Sequence, residues 1–300
     1  MVTNRLTCAR GVQPYVLGGP RCTTMKLTDL LAAYVGGRDC GSRYRESLNR
    51  TVRKMTEAGI ESVSDLQAEH LNRLLVSLSS LTSTTKQNIR REALTLWRYA
   101  FEERLTDEPP LRVMRVRAAP KPTQAWAMPT LSRMLECAEQ DEAVISVRHK
   151  KRVCDFLPAW ITIAYDSGLR FQDVHELHID QIRDCVVVGT AHKTGKTFIR
   201  PLSEYAVQQA KQLADASPDG TLFRWFLTRR RAFLCMAAFR ERHKFSGTMK
   251  FLRRSCATMK ERATPGSARA YLQHGDGATT VRHYIDESLL AVPEGPPPIR

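Results

Sequence analysis

Apolar side chains recur at helical spacing through the first third of the chain. Between residues 25 and 106, each segment carries apolar residues on one face and polar residues on the other, the pattern of an amphipathic helix. Residues 64–67 read Ser-Asp-Leu-Gln, which is capping-box spacing, and a longer helix is predicted to open at residues 82–85. The pattern predicts a domain of about four helices, whose apolar faces carry Leu27, Leu30, Leu31, Tyr34, Leu71, Leu74, Leu75, Leu78, Ile89, Ala93, Leu96, Trp97, Ala100 and Phe101.

Prolines and basic residues interrupt the helical pattern between residues 107 and 122. Prolines near both ends of this stretch cannot sustain a helix, and the alternating arginines between them are expected to stay out of a core. The stretch is therefore predicted to be an extended basic linker between two domains. Residues 1–24 lack periodicity and are expected to form a flexible leader, and residues 291–300 form a proline-rich tail.

The second domain is predicted to span residues 123–290 and to be mostly helical. Helices are expected near residues 130–139, 153–166, 203–214 and 229–242, and another begins near residue 247. One β element is clear, since the apolar stretches at residues 185–188 and 197–199 flank a Lys-Thr-Gly-Lys turn. A β-hairpin with Lys193 near its tip is the prediction.

The net charge of the chain indicates what kind of partner it binds. Lys and Arg number 46 against 31 Asp and Glu, which gives a net charge of +15 and favours a polyanion, with double-stranded DNA as the leading candidate. No apolar stretch is long enough to span a membrane, so we expect a cytoplasmic protein, associated with the nucleoid if the host is bacterial. The eight cysteines include no Cys-x-x-Cys pair, which argues against a zinc ribbon or a disulfide framework.

Basic residues in the first domain and the linker are the candidates for contact with DNA phosphates. A solvated basic face is an equally good interpretation of the same residues. The candidates are Arg43, Arg50, Lys86, Arg90, Arg91, Arg115 and Arg117.

Four residues of the second domain suit chemistry at a phosphodiester. Attack at phosphorus spreads negative charge over non-bridging oxygens, and the guanidiniums of Arg170 and Arg253 offer permanently charged donors for it. The hydroxyl of Tyr284 is a candidate nucleophile, and the ammonium of Lys193 can protonate the departing sugar oxygen. Taken singly, each residue has a structural interpretation, since an arginine after a turn or a tyrosine near a C-terminus is usually a packing residue.

Taken together in chain order, these residues and the motifs around them resemble those of the tyrosine recombinase family, also called phage integrases, over roughly residues 25–290. Ser167-Gly168-Leu169-Arg170 resembles the first family box, with Asp173 in its acidic position. Lys193 matches the hairpin lysine, and residues 250–253 resemble the second box, a His-x-x-Arg. Leu272-Gln273-His274 resembles the Leu-Gly-His element, and Thr279-Thr280 resembles the pair that precedes the nucleophile.

The resemblance implies a fold and a reaction. The fold is mainly α, with an N-terminal helical core-binding domain of SAM-like type and a mostly helical catalytic domain with a small β-hairpin or sheet. The reaction is site-specific recombination through a 3′-phosphotyrosine intermediate, carried out by a homotetramer on paired DNA sites without metal or cofactor. Arg170, Arg253 and His274 would bind the scissile phosphate, and Asp173 would orient its neighbours.

Two departures from the family pattern bear on this interpretation. Lys250 replaces the histidine of the second box, and a protonated lysine can hold a phosphate oxygen but cannot remove a proton. Gln273 replaces a glycine and is expected to crowd the turn before His274. Lys250 leaves two alternatives open: a type IB topoisomerase, a class similar in carrying lysine there, and a degenerate relative that binds DNA without cutting it.

Overall fold

The computed structural model describes residues 24–117 and 122–290. The leader up to residue 23, the tail 291–300, and Cys8 and Cys22 lie outside the described residues. The described residues form two compact units, one on each side of the junction between Pro120 and Lys121. Within the described ranges, no helix combines the length and the apolar character that crossing a bilayer requires.

The first unit is built from four α-helices, α1 (Leu27–Gly36), α2 (Ser42–Glu57), α3 (Ala68–Ser77) and α4 (Ser83–Glu102). Thr82 caps α4, its side chain accepting a hydrogen bond from the amide of Thr85. The apolar faces meet in one core around Trp97, which is about 1% exposed. The carboxylate of Glu92 is buried there too, and accepts hydrogen bonds from the hydroxyls of Ser47 and Thr51 on α2. A buried charge with two donors costs far less than one without.

The capping box of this unit differs from the predicted one. Ser62 and Asp65 form it, around a short 3-10 turn, so it lies two residues before the position that the Ser-x-x-Gln spacing indicates. Asp65 completes the capping box because its carboxylate accepts hydrogen bonds from the amides of both Glu61 and Ser62.

The described part of the linker packs on the first unit. Val113 is 7% exposed and belongs to its core, contrary to the expectation that this stretch stays out of a core. The side chains of α4 fix the linker backbone: Trp97 donates to the carbonyl of Glu108, and Arg90 to those of Val113 and Met114. The prolines prevent the linker from forming a helix, so its carbonyl groups lack helical partners. Side chains of α4 donate hydrogen bonds to them instead.

The second unit is arranged around α6 (Leu157–Ser167), which is buried on nearly every side. Pro158 occupies its first turn, where a missing amide proton costs nothing. The other helices are α5 (Met128–Gln140), α7 (Phe171–His175), α8 (Glu204–Asp215), α9 (Arg229–Arg242), α10 (Lys250–Ala263), α11 (Ser267–Leu272) and α12 (Gly277–Tyr284). The helices α5, α8 and α10 all pack against α6. The mainly α fold class with a small sheet is confirmed.

Two small antiparallel sheets complete this unit. The predicted hairpin is the pair β4 (Val186–Thr190) and β5 (Thr197–Pro201), to which β3 (Ile182–Arg183) adds on the β4 side. The second sheet, β1 (Val144–Ser146) with β2 (Lys151–Arg152), was not predicted, because strands of two or three residues carry no alternation. Cys185 was predicted to begin a strand; it lies instead in the turn between β3 and β4, where it and Asp184 both have positive φ.

The chain reverses between α6 and α7 at Gly168, whose φ of +61° lies in the left-handed region. A Cβ at this position would lie 3.0 Å from Sγ of Cys256 and 3.1 Å from Cδ2 of Leu272. Both side chains are buried, so neither has room to move. Glycine is required here for its backbone conformation and for its size.

Replacing Gly168 by alanine should therefore destabilise the protein more than the same change at Gly195. Gly195 has nearly the same φ, +64°, but a Cβ there would meet nothing within 4 Å. We expect Gly195→Ala to lower the free energy of unfolding by about 1 kcal/mol. Gly168→Ala should lower it by roughly 2–4 kcal/mol, because overpacking adds to the backbone strain. Urea unfolding of both variants measures the difference, and equal losses would contradict the close packing at Gly168.

Candidate active site

The turn at Gly168 leads directly to Arg170, which precedes the first residue of α7. Its guanidinium is partly exposed, and Nη1 lies 4.0 Å from Oδ2 of Asp173, too far for a hydrogen bond. Asp173 is 7% exposed, and its Oδ1 accepts from the backbone amide of His192 at 2.9 Å. Asp173 therefore joins the Arg170 turn to the hairpin residue that precedes Lys193.

Arg253 projects from the first turns of α10 and is buried. Its Nη1 donates to the carbonyl of Gly168, and its Nη2 donates to the carbonyl of Leu272 at 3.4 Å and to Nε2 of His274 at 3.2 Å. Its Nε has no hydrogen-bond partner among the described residues. The guanidinium thus connects the α6–α7 turn with the end of α11.

The hydrogen bonds of His274 determine its tautomer. A guanidinium only donates, so Nε2 of His274 is the acceptor and the ring proton is on Nδ1. Nδ1 lies 2.9 Å from Oγ1 of Thr280, which is 2% exposed and accepts the hydrogen bond that Nδ1–H donates. Thr280 was noted in the sequence only as part of a Thr-Thr pair. Its position shows that it orients the imidazole, which sequence spacing alone does not reveal.

Tyr284 is the last residue of α12, and its ring is half-buried against the site. Its ring centroid lies 4.5 Å from that of His274, and the guanidinium carbon of Arg253 lies 5.2 Å from it. Oγ1 of Thr258 donates to the backbone carbonyl of Tyr284 and accepts from the amide of Asp286. The buried Thr258 of α10 therefore fixes the end of α12.

The two lysines lie on segments that are connected to this group: Lys250 is on α10 with Arg253, and Lys193 follows His192, whose amide donates to Asp173. Lys193 is exposed in the turn between β4 and β5, and Lys250 is exposed as the first residue of α10. Lys250 and Arg253 are three residues apart, so both project toward the same side of the helix. Neither ammonium forms a hydrogen bond or ion pair with any part of the chain that the structure describes. Of the predicted catalytic residues, Arg170, Arg253, His274 and Tyr284 are brought together, whereas Lys193 and Lys250 are exposed side chains that no described hydrogen bond joins to the group.

The site is electropositive, and this changes the ionisation of its members. Burial lowers the pKa of Arg253, and the charge of Arg170 lowers it further. Burial and the charges of Arg253 and Arg170 lower the pKa of His274 to about 4. His274 is therefore a neutral acceptor near pH 7. Two guanidiniums next to a neutral imidazole form a site for an anion.

The predicted DNA-contact residues of the first unit differ in their accessibility. Arg43, Arg50 and Arg91 are exposed, Lys86 is half-buried, and Arg115 and Arg117 are exposed on the linker. Arg90 has a structural task, since two of its guanidinium nitrogens hold linker carbonyls.

Histidines outside the site have structural partners. Nε2 of His175 lies 2.7 Å from the carbonyl of Leu227, and Nε2 of His178 lies 2.6 Å from that of Asp219. Among the described residues, no group of three or more His, Cys, Asp or Glu side chains is arranged to hold a metal ion.

Solved structures resemble this chain over most of its length. A lambda integrase dimer bound to a COC′ core site is 14% identical with a TM-score of 0.72, covering 91% of this chain and 81% of that one. The chain has the fold of the tyrosine integrases. A lambda integrase tetramer bound to a Holliday junction gives 15% identity and a TM-score of 0.67, covering 92% of this chain and 82% of that one.

A third neighbour is the integrase of transposon Tn1549 in complex with a circular intermediate DNA. The solved chain is a fragment of that integrase; it is 14% identical with a TM-score of 0.67, and the match covers 87% of this chain and 95% of the fragment. No family model and no curated protein matches the sequence. The predicted resemblance to the tyrosine recombinases is thus confirmed in the fold.

The neutral state of His274 predicts how stability depends on pH. The pKa of His274 is about 4 in the folded protein, below its ordinary value of 6.5, so the unfolded chain binds the proton more tightly. Stability should therefore fall as pH decreases from about 6.5 towards 4. In His274→Asn this contribution is absent, so urea unfolding at several pH values should show a shallower loss. Parallel pH profiles for the two proteins would contradict the assignment.

Proposed function

We propose that the protein is a site-specific DNA recombinase that cleaves and rejoins strands through a 3′-phosphotyrosine intermediate. One observation carries the proposal: Arg253, from α10, contacts His274, the ring of Tyr284 and the turn that leads to Arg170. These are the residue types that a reaction at a phosphodiester needs, drawn from four separate segments. Structural packing alone does not require two guanidiniums, an imidazole and a tyrosine at one point.

The proposed cleavage forms one bond and breaks one. Oη of Tyr284 attacks phosphorus, a phosphorus–tyrosine bond forms, and the bond from phosphorus to the 5′ oxygen breaks. The ammonium of Lys193 gives its proton to that oxygen, which leaves as a 5′ hydroxyl. Because the phosphodiester energy is kept in the tyrosine ester, a 5′ hydroxyl can reverse the attack without ATP.

We propose that His274 accepts the proton of the Tyr284 hydroxyl during the attack. Nε2 of His274 is an acceptor, and its ring packs against that of Tyr284. Once protonated, the imidazole becomes a donor and joins Arg170 and Arg253 in holding the non-bridging oxygens. In this proposal His274 is the general base, and Lys250 stabilises the developing negative charge.

Double-stranded DNA is the proposed partner, and a homotetramer on paired sites is the proposed assembly. The net charge of +15 and the exposed arginines of the first unit and linker support binding to phosphates. One similar solved structure is a lambda integrase tetramer bound to a Holliday junction, and we propose that this chain exchanges strands through such a four-way junction. Lys250 favours one rival, a type IB topoisomerase, which would form the same adduct but relax DNA without a specific site.

The covalent intermediate gives a direct test. Duplexes selected for binding from a random pool would be nicked close to each candidate scissile phosphate, so that the short 5′-hydroxyl strand diffuses away and traps the adduct. We expect an adduct visible on denaturing gels, and its complete loss in Tyr284→Phe. The matched control is Tyr205→Phe, since this tyrosine donates to Glu139 on the helices α8 and α5 and should leave the adduct intact.

The other outcomes separate the alternatives. Binding without any adduct would support a DNA-binding module. Adducts on unselected DNA, with relaxation of a plasmid that lacks the selected sequence, would support a topoisomerase.

Substitutions at Lys250 test whether its positive charge stabilises the transition state. We expect Lys250→Gln to slow adduct formation about tenfold, since it removes one exposed cation from beside the developing charge. Lys250→Arg keeps the cation and should stay within about threefold of the parent. Single-turnover rates on the nicked duplex measure both variants, and equal rates for Gln and Arg would show that Lys250 does not stabilise the transition state.

A further inference from the structure

Gln273 occupies a backbone conformation that suits glycine. It follows the last residue of α11 with φ +55° and ψ +39°, in the left-handed region where a Cβ is unfavourable. Gln273 was expected to crowd the turn before His274; what the structure shows is a strained backbone at this position and a side chain with a specific partner.

The amide of Gln273 makes a hydrogen bond that glycine cannot make. Its Nε2 donates to the backbone carbonyl of Thr197 at 2.7 Å. Thr197 is the first residue of β5 and pairs with Thr190, the last residue of β4, so it lies at the end of the hairpin next to the Lys193 turn. The side chain thereby connects the residue before His274 with the strand that follows Lys193.

Two further contacts hold the same hairpin. On the side before Lys193, the amide of His192 donates to Asp173. Farther along β5, the guanidinium of Arg200 lies 4.7 Å from the centroid of the Tyr271 ring on α11. Lys193 is thus flanked by a hydrogen bond to the Arg170 turn and by another to the His274 turn. Its own ammonium has no partner among the described residues, so its position depends on the backbone of the turn.

We propose that Gln273 is a positioning residue that fixes the hairpin so that Lys193 reaches the leaving oxygen. This inference rests on the proposed function and adds the group that orients its general acid. A displacement of about 1 Å is enough to cost a large factor in rate. In this role Gln273 takes no direct part in the reaction; it acts through Lys193.

The test uses two substrates that differ in their need for an acid. One nicked duplex carries the ordinary 5′ oxygen at the scissile phosphate, and the other carries sulfur there. A thiolate is a far better leaving group than an alkoxide and departs without a proton. The full-length chain, Lys193→Ala, Gln273→Gly and Gln273→Asn would be compared on both substrates in single-turnover reactions.

The two Gln273 variants separate strain from the hydrogen bond. Glycine and asparagine both tolerate the left-handed conformation, and the asparagine side chain is one carbon too short to keep the 2.7 Å contact. Both variants should therefore melt no lower than the parent. On the oxygen substrate we expect each to be about tenfold slower or more, and on the sulfur substrate each should match the parent within about twofold, as should Lys193→Ala.

Three results would overturn the inference and leave the proposed function in place. Equal losses on the two substrates would mean that Gln273 supports the fold or another step, and no loss on the oxygen substrate would mean that the contact is dispensable. Cleavage by the parent chain without sulfur rescue of Lys193→Ala would remove Lys193 as the acid, and the role of Gln273 with it. If the parent chain cleaves neither substrate on its selected site, the proposed function itself fails, and this inference fails with it.

Discussion

The site depends on how the buried guanidinium of Arg253 is satisfied. Its described hydrogen-bond partners are two backbone carbonyls and an imidazole nitrogen, and within the described residues no carboxylate pairs with it. Carbonyl groups compensate the lost hydration but leave the positive charge unneutralised. A carboxylate would stabilise the free protein and weaken binding of an anion. The choice of partners therefore keeps the charge available for a phosphate.

This arrangement makes the local backbone part of the site. The carbonyl of Gly168 reaches Arg253 because the left-handed turn lies against Cys256 and Leu272, and the carbonyl of Leu272 is presented by the end of α11. On α10, Cys256 is buried and burial raises the pKa of its thiol to about 12, so it serves as an inert packing group. One helix thus supplies the guanidinium and the surface that shapes the turn it binds.

Sequence reasoning predicted the elements with strong periodicity and the residues whose chemistry is intrinsic. The helices around Trp97 and Trp160 and the hairpin with Lys193 follow from spacing, and Arg170, Arg253 and Tyr284 follow from residue type. His274 was predicted from the family resemblance. Sequence reasoning missed what depends on tertiary contact: the strands of two or three residues, the burial of Val113, and the structural use of Arg90. The tautomer of His274 and the partner of Gln273 also require the fold, because each is set by a residue on another segment.

The division of proton transfer that we propose between His274 and Lys193 rests on the same electrostatics. Burial and the charges of both guanidiniums disfavour a positive charge on the imidazole, so His274 stays neutral. In the proposed reaction, a phosphate would offset those charges and make the imidazolium easier to form when Tyr284 gives up its proton. Lys193 lies outside this buried group, on an exposed turn, from which we propose that it reaches the leaving oxygen. In that proposal, a phosphate in the site allows His274 to take the role of the histidine missing from the second box.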